Sequence, residues 1–291
     1  MSLLHAIFMG LIQGLTEFLP VSSSGHLALF KILFHVNTDN GILFDVLLHI
    51  ATLIAVVVVY YKDVFKLIKE FVLMIRDLIH NIMVLAGKRS HPDRKPRKII
   101  TTAYRKFVAM IIVSTIPTGI IGFLIKDFVE QSETTLLVPG ICLLITAAVL
   151  FLSDHAPDGR KGPKNASYPN AIIIGIVQGI ATLPGISRSG STIATSVFLG
   201  FDRRFAVKYS FILSIPAILG ALVLQLKDLG EYTVTGSDAA SYVVGMIVAA
   251  VVGYIAIKWM LKIVRNKKFK YFSIYCLVVG IISLIGYAVA A

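Results

Sequence analysis

Apolar residues run through this chain in long blocks, with polar residues gathered in the segments between them. Residues 41–61, 107–125, 136–153, 205–226, 242–261 and 271–290 are apolar runs. Each approaches or reaches the ~20 residues that a helix needs to cross a bilayer core. The pattern therefore predicts six transmembrane helices. Residues 64–85 are also apolar, but Lys66, Lys69, Glu70, Arg76, Asp77 and His80 interrupt them. That many charges are costly at a bilayer centre. An amphipathic helix lying at the interface accounts for them better. Residues 87–98, GKRSHPDRKPRK, read as a loop from their Pro, Gly and charge content.

Two further stretches are too polar for a span and too apolar for a soluble loop. Residues 6–26 read AIFMGLIQGLTEFLPVSSSGH, and residues 171–191 read AIIIGIVQGIATLPGISRSGS. Without a gap, at an offset of 165, Ala6 falls on Ala171, Gly10 on Gly175, Gln13 on Gln178 and Gly14 on Gly179. Ser22 falls on Ser187, Ser24 on Ser189 and Gly25 on Gly190, while Pro20 and Pro184 miss by one position. Each stretch reads as a re-entrant hairpin followed by three spans. Three is odd, so the second half must sit upside down relative to the first. The expected fold is an all-α polytopic membrane protein: six transmembrane helices plus two re-entrant helical hairpins, built as an inverted-topology repeat. Residues 1–291 form one membrane domain, with residues 1–153 and 170–291 as the two repeats and residues 62–106 as the interfacial helix and basic loop of the first. Such repeats place their working site near the midplane, where broken helices meet.

Charge sets the orientation. The formal charge of +12 would suggest nucleic acid in a soluble protein, but 24 of the 28 basic residues fall in 62–106, 154–170, 200–208 and 258–270. The links 36–40, 126–135 and 227–241 hold only Lys126 and Lys227 against seven acids. If both hairpins return to their own side, the basic segments all share one face, which the positive-inside rule assigns to the cytoplasm. The charge is then explained by orientation, with no nucleic acid as partner. The 56% hydrophobic content exceeds the roughly 45–50% of soluble domains by a comparable count. The apolar N-terminus lacks a basic n-region and a small-residue cleavage pattern, so it does not read as a removable signal peptide. Cys142 and Cys276 lie inside apolar runs and read as buried small hydrophobes.

Few ionisable residues remain in the embedded part: chiefly Glu17, His26, Asp45, His49 and Arg188. Such groups are functional candidates by default. Arg188 sits in PGISRSGST, residues 184–192, with Ser187, Ser189, Gly190 and Thr192. An arginine fork, hydroxyls and turn amides suit phosphate, whereas serines alone read equally well as helix caps. Residues 21–26, VSSSGH, place Ser22, Ser23, Ser24 and Gly25 before His26. A serine three residues from a histidine reads as a nucleophile beside its base, or as another cap. Gln13 and Glu17 share one helix face. Glu17 has three candidate roles: holding a divalent cation, orienting His26, or pairing with Arg188. Asp45 and His49, also four apart, read as an interfacial polar pair.

At these residues the chain resembles the undecaprenyl-diphosphate phosphatase family, the bacitracin-resistance type of integral membrane phosphatase. The Glu/Gln-x-x-x-Glu motif is Gln13 to Glu17, the Ser/Gly/His turn is Ser22 to His26, and PGxSRSxxT is Pro184 to Thr192. The resemblance implies hydrolysis of a C55 polyprenyl diphosphate to the monophosphate carrier and inorganic phosphate, recycling the carrier for peptidoglycan synthesis and conferring bacitracin resistance. It also implies a divalent cation, Mg or Ca, and a homodimer in the bacterial cytoplasmic (inner) membrane with the active site opening to the outer, periplasmic face. Within it Arg188 takes the phosphates, with Ser187, Ser189, Gly190 and Thr192 beside it. Ser23 is the expected nucleophile with His26 as base and then acid, or else His26 activates water directly with the same residues; Glu17 orients His26 or holds the metal, and Gln13, Ser22, Ser24 and Gly25 line the substrate. The rival expectation is a transporter that flips the polyprenyl phosphate carrier, because inverted repeats with broken helices are transporter architecture.

Overall fold

The computed structural model describes residues 2–34, 41–86, 95–225 and 236–290. The link 36–40, residues 87–94 of the basic loop and most of the link 227–241 lie outside them. The described residues form α-helices and no named strands. In chain order these are α1 (Leu3–Thr16), α2 (Ser23–Leu33), α3 (Gly41–Val59), α4 (Tyr61–Ala86), α5 (Ala103–Leu124) and α6 (Lys126–Ser132). They continue as α7 (Leu137–His155), α8 (Tyr168–Ile180), α9 (Arg188–Phe198), α10 (Arg203–Gln225), α11 (Gly236–Arg265) and α12 (Lys270–Ala290).

Among the described residues, α5, α7, α10, α11 and α12 are long and apolar enough to cross a membrane. A sixth span results if α3 and α4, which meet at a 91° bend, are counted together. The protein is a multi-pass, all-helical membrane protein. Helices α1 and α8 have 14 and 13 residues. At 1.5 Å per residue they reach about 20 Å, short of a ~30 Å hydrocarbon core. Each breaks into a turn and resumes as an 11-residue helix, α2 or α9.

The two hairpins make matching packing choices. Helix α1 lies chiefly on α11, and α8 chiefly on α5. Helix α3 packs on α11 and α10 on α5, while α7 and α12 pack on each other. Exchanging the halves therefore maps each of these pairings onto another, or onto itself. The shared glycines make the approach close. A Cβ on Gly10 would stand 2.4 Å from the Gly245 carbonyl oxygen, and one on Gly175 would stand 2.2 Å from that of Ser114. Only a residue without a side chain allows backbones to meet this tightly.

Helix α4 runs through residues 64–85 as one helix, but its charges do not all face water. Asp63, Glu70 and Asp77, seven residues apart, turn inward. Asp63 receives Tyr104 (2.9 Å) and Lys208 (3.0 Å). Arg105 spans the other two, at 2.9 Å from Glu70 and 2.8 Å from Asp77. Phe65, Ile68, Val72, Ile75, Ile79 and Ile82 form an exposed apolar stripe on the opposite side. The protein thus satisfies the acids and leaves the apolar face outward.

Candidate active site

Both hairpin tips are built by one local device. In the first, the Ser22 hydroxyl accepts from the Gly25 amide (3.3 Å) and starts α2. In the second, the Ser187 hydroxyl accepts from the Gly190 amide (3.1 Å) and starts α9. Ser22 lies 3.4 Å from the Ser24 hydroxyl, and Ser187 lies 3.3 Å from that of Ser189. Ser22 and Ser187 are therefore helix caps, as serine before a helix favours. Ser22 has a φ of 71°, a conformation that a non-glycine residue adopts at a cost of order 1–3 kcal/mol.

The tips touch. The Gly185 amide donates to the Ser22 hydroxyl (3.0 Å), and the Ser189 hydroxyl donates to the Leu19 carbonyl (3.3 Å). Gly25 lies against Gly185, and Gly190 against Pro20. Positions 20 and 185 are themselves 165 apart, so the two contacts are exchange-related. From α7, the Thr146 hydroxyl donates to the Gly185 carbonyl (2.9 Å) and accepts from the Ser187 amide (3.0 Å).

Glu17 stands where the tips meet. Its side chain is 2% exposed. One carboxylate oxygen accepts from the Arg188 guanidinium, which crosses over from the second tip. The other accepts from the Ser23 hydroxyl (2.6 Å) and the Gln13 amide (3.0 Å). His49 of α3 approaches that same oxygen with Nε2 at 3.8 Å. The side-chain oxygen of Gln13 is buried beside this group without a hydrogen-bond partner.

Ser23 and His26 do not pair as their spacing suggests. The Ser23 hydroxyl goes to Glu17. His26 donates from Nδ1 to the Ser22 carbonyl (2.7 Å), and its Nε2 meets the Tyr275 hydroxyl (2.8 Å). Glu17 accordingly accepts from Ser23, Gln13 and Arg188 rather than orienting His26. The Thr192 hydroxyl donates to the Arg188 carbonyl (2.8 Å) and bonds the Ser210 hydroxyl (2.6 Å). It ties α9 to α10.

Three site residues escape sequence reasoning. Tyr275 is one tyrosine in an apolar run 249 positions from its partner. Thr146 is an unremarkable hydroxyl in α7. His49 carries a signal, its four-residue spacing from Asp45, but that spacing points to an interfacial polar pair rather than to Glu17. Its Nδ1 donates to the Asp45 carbonyl (2.8 Å), leaving Nε2 toward Glu17. Asp45 instead pairs with Lys31 of α2.

Among the described residues no three His, Cys, Asp or Glu side chains converge as metal ligands. Both oxygens of Glu17 are already taken by donors, whereas hard divalent cations need several oxygen ligands.

Against known proteins, the family model described as "Bacitracin resistance protein BacA" matches residues 6–282. The chain is 42% identical to an undecaprenyl-diphosphatase of Methanosphaera stadtmanae, with 98% of each chain covered. It is 41% identical to the protein of that name from Alkaliphilus metalliredigens, and 40% to that from Methanobrevibacter smithii, again with 98% of each covered.

Proposed function

This chain belongs to the bacitracin resistance protein BacA family, and on that premise we propose that it hydrolyses undecaprenyl diphosphate to undecaprenyl phosphate and inorganic phosphate. One observation carries the reading: Glu17 links the Ser23 hydroxyl to Arg188 across two tips of different repeats. A nucleophile, an acceptor for its proton and a phosphate-binding cation are thereby within one cluster.

In this reading the diphosphate draws Arg188 from Glu17 onto its terminal oxygens, where the guanidinium fork and the free amides opening α9 offset the charge. Ser23 Oγ then bonds to the terminal phosphorus, and the bond from that phosphorus to the bridging oxygen breaks. Undecaprenyl phosphate leaves with the bridging oxygen. The Ser23 proton passes to Glu17. His26 then takes a proton from water as the water attacks the phosphoserine. The Ser23–phosphorus bond breaks, Glu17 returns its proton to Ser23, and His26 gives up the water's proton to solvent as inorganic phosphate departs. Each displacement needs positioning and charge stabilisation rather than further covalent chemistry.

We read the chain as six spans and two re-entrant hairpins in an inverted repeat, supported by the exchange-related helix pairings and the paired caps. Its setting is the bacterial inner membrane, with basic segments inside and the tips reached from the outer face. The polyprenyl tail stays among the spans while the head group enters between the tips. A homodimer enters from the family resemblance. Peptidoglycan carrier recycling and bacitracin resistance follow from the reaction.

The test is phosphate release from undecaprenyl diphosphate by purified protein in detergent. Wild type should release phosphate and form a labelled Ser23 phosphoester, and Ser23→Ala should do neither. Carrier movement in vesicles without any release would sink the hydrolase and favour the transporter. Full turnover by Ser23→Ala would replace the phosphoserine with direct attack by water.

A further inference from the structure

The imidazole of His26 is held at both nitrogens, and only one of the holds is local. The Ser22 carbonyl can only accept, so its 2.7 Å bond requires the hydrogen to be on Nδ1. In the neutral ring Nε2 is then the lone-pair nitrogen. The group 2.8 Å from it is the Tyr275 hydroxyl, which donates a hydrogen bond to that lone pair. The two rings are stacked, with centroids 5.5 Å apart and planes 10° from parallel.

Tyr275 can do this because its helix is pinned. In α12 the Ser273 hydroxyl donates to the Ala147 carbonyl of α7 (2.7 Å), and Ser283 donates to that of Leu136 (2.8 Å). Next to Tyr275, the Cys276 thiol donates to the Pro20 carbonyl of the first tip (3.7 Å). The hydroxyl is thus fixed relative to both the bundle and the hairpin that carries His26. The Ser23 hydroxyl meanwhile is bonded to Glu17, so Nε2 is not spent on the nucleophile.

We propose that Tyr275 is a positioning residue for His26: together with the Ser22 carbonyl it holds the resting ring in one orientation, and in the second displacement the attacking water takes the place of the Tyr275 hydroxyl at the Nε2 lone pair. The proposal rests on the phosphatase reading for its kinetic consequence alone. Tyr275 forms no bond to phosphate in this role. It acts through the orientation of the imidazole, as the partners of working histidines do.

The test uses full-length protein in detergent micelles, with histidine side-chain nitrogen NMR and phosphate release measured in parallel. His26→Gln assigns the His26 signals. Tyr275→Phe keeps the stacked ring and removes the donor; Tyr275→Leu removes both, with circular dichroism confirming the helical fold of each. In wild type, Nε2 should give the signal of a hydrogen-bonded acceptor and Nδ1 that of a protonated nitrogen. In Tyr275→Phe the Nε2 signal should move to that of an unbonded acceptor. Its kcat should fall about fivefold to tenfold, as for loss of one neutral hydrogen bond, with KM within about twofold. Tyr275→Leu, which also loses the stacked ring, should lower kcat further. Unchanged His26 signals in Tyr275→Phe would overturn the proposal. So would a Tyr275→Phe enzyme that loses substrate affinity while keeping kcat. If wild type releases no phosphate, the phosphatase reading fails separately, and the nitrogen signals still decide whether Tyr275 holds His26.

Discussion

The Glu17–Arg188 pair makes a demand that can be measured without substrate. The Glu17 side chain is 2% exposed and that of Arg188 18%, so solvent reaches the cation end but hardly the anion end. Arg188→Ala leaves a buried carboxylate with two neutral donors, Ser23 and Gln13. Breaking a fully buried pair costs about 3–5 kcal/mol; with Arg188 partly solvated, about 2–3 kcal/mol is expected here. Glu17→Gln should cost less, about 1–2 kcal/mol, because the stranded arginine can turn to water. The double variant Glu17→Gln/Arg188→Ala removes both charges. It should be more stable than the sum of the single losses by about 1–2 kcal/mol. Equilibrium unfolding in mixed micelles, followed by circular dichroism, gives the four stabilities of the cycle. Turnover should behave differently: Arg188→Ala should lose about 10²–10³-fold, in the range of a lost transition-state donor, and the double variant should not recover it. Additivity within about 0.5 kcal/mol would refute the resting pair. Recovered turnover in the double variant would refute the phosphate role.

Two other expectations are structural. Gly10→Ala and Gly175→Ala should each destabilise by about 1–3 kcal/mol through backbone overlap, whereas Gly119→Ala, with nothing within 4 Å of the added Cβ, should be neutral in the same unfolding assay; equal effects at all three would undo the close-packing argument. Gln131→Cys, exposed at the end of α6, should react with a membrane-impermeant maleimide on intact cells, over a low background because Cys142 and Cys276 are buried. Labelling only after lysis would reverse the orientation. Neighbouring Ser132 is unsuitable, being buried with its hydroxyl on the Phe128 carbonyl (2.6 Å).

The apolar runs were legible because span length is a property of composition alone. The hairpin register was legible because a repeat with Gln, Gly and Ser at fixed offset survives without any structure. What Ser23 bonds to was not. Its spacing from His26 suggested a pair, but the backbone at Ser22 captures the imidazole and Glu17 captures the hydroxyl. Tyr275 and Thr146 were illegible for a different reason: their roles arise from packing between distant helices, and neither residue type is unusual in its own run. On α4 the charges were visible, yet their inward direction depends on Arg105 and Lys208, which lie on other helices.

The crossed packing of the hairpins has a consequence for how the protein is made. Gly10 closes on Gly245, 235 residues later. At synthesis rates of about 5–20 residues per second, the first hairpin waits roughly 10–50 s for its wall. During that interval Glu17 has neither Arg188 nor the cover of α11. The nascent first half is therefore a client for whatever holds polar segments in the membrane during insertion, and the second half completes the first as it emerges.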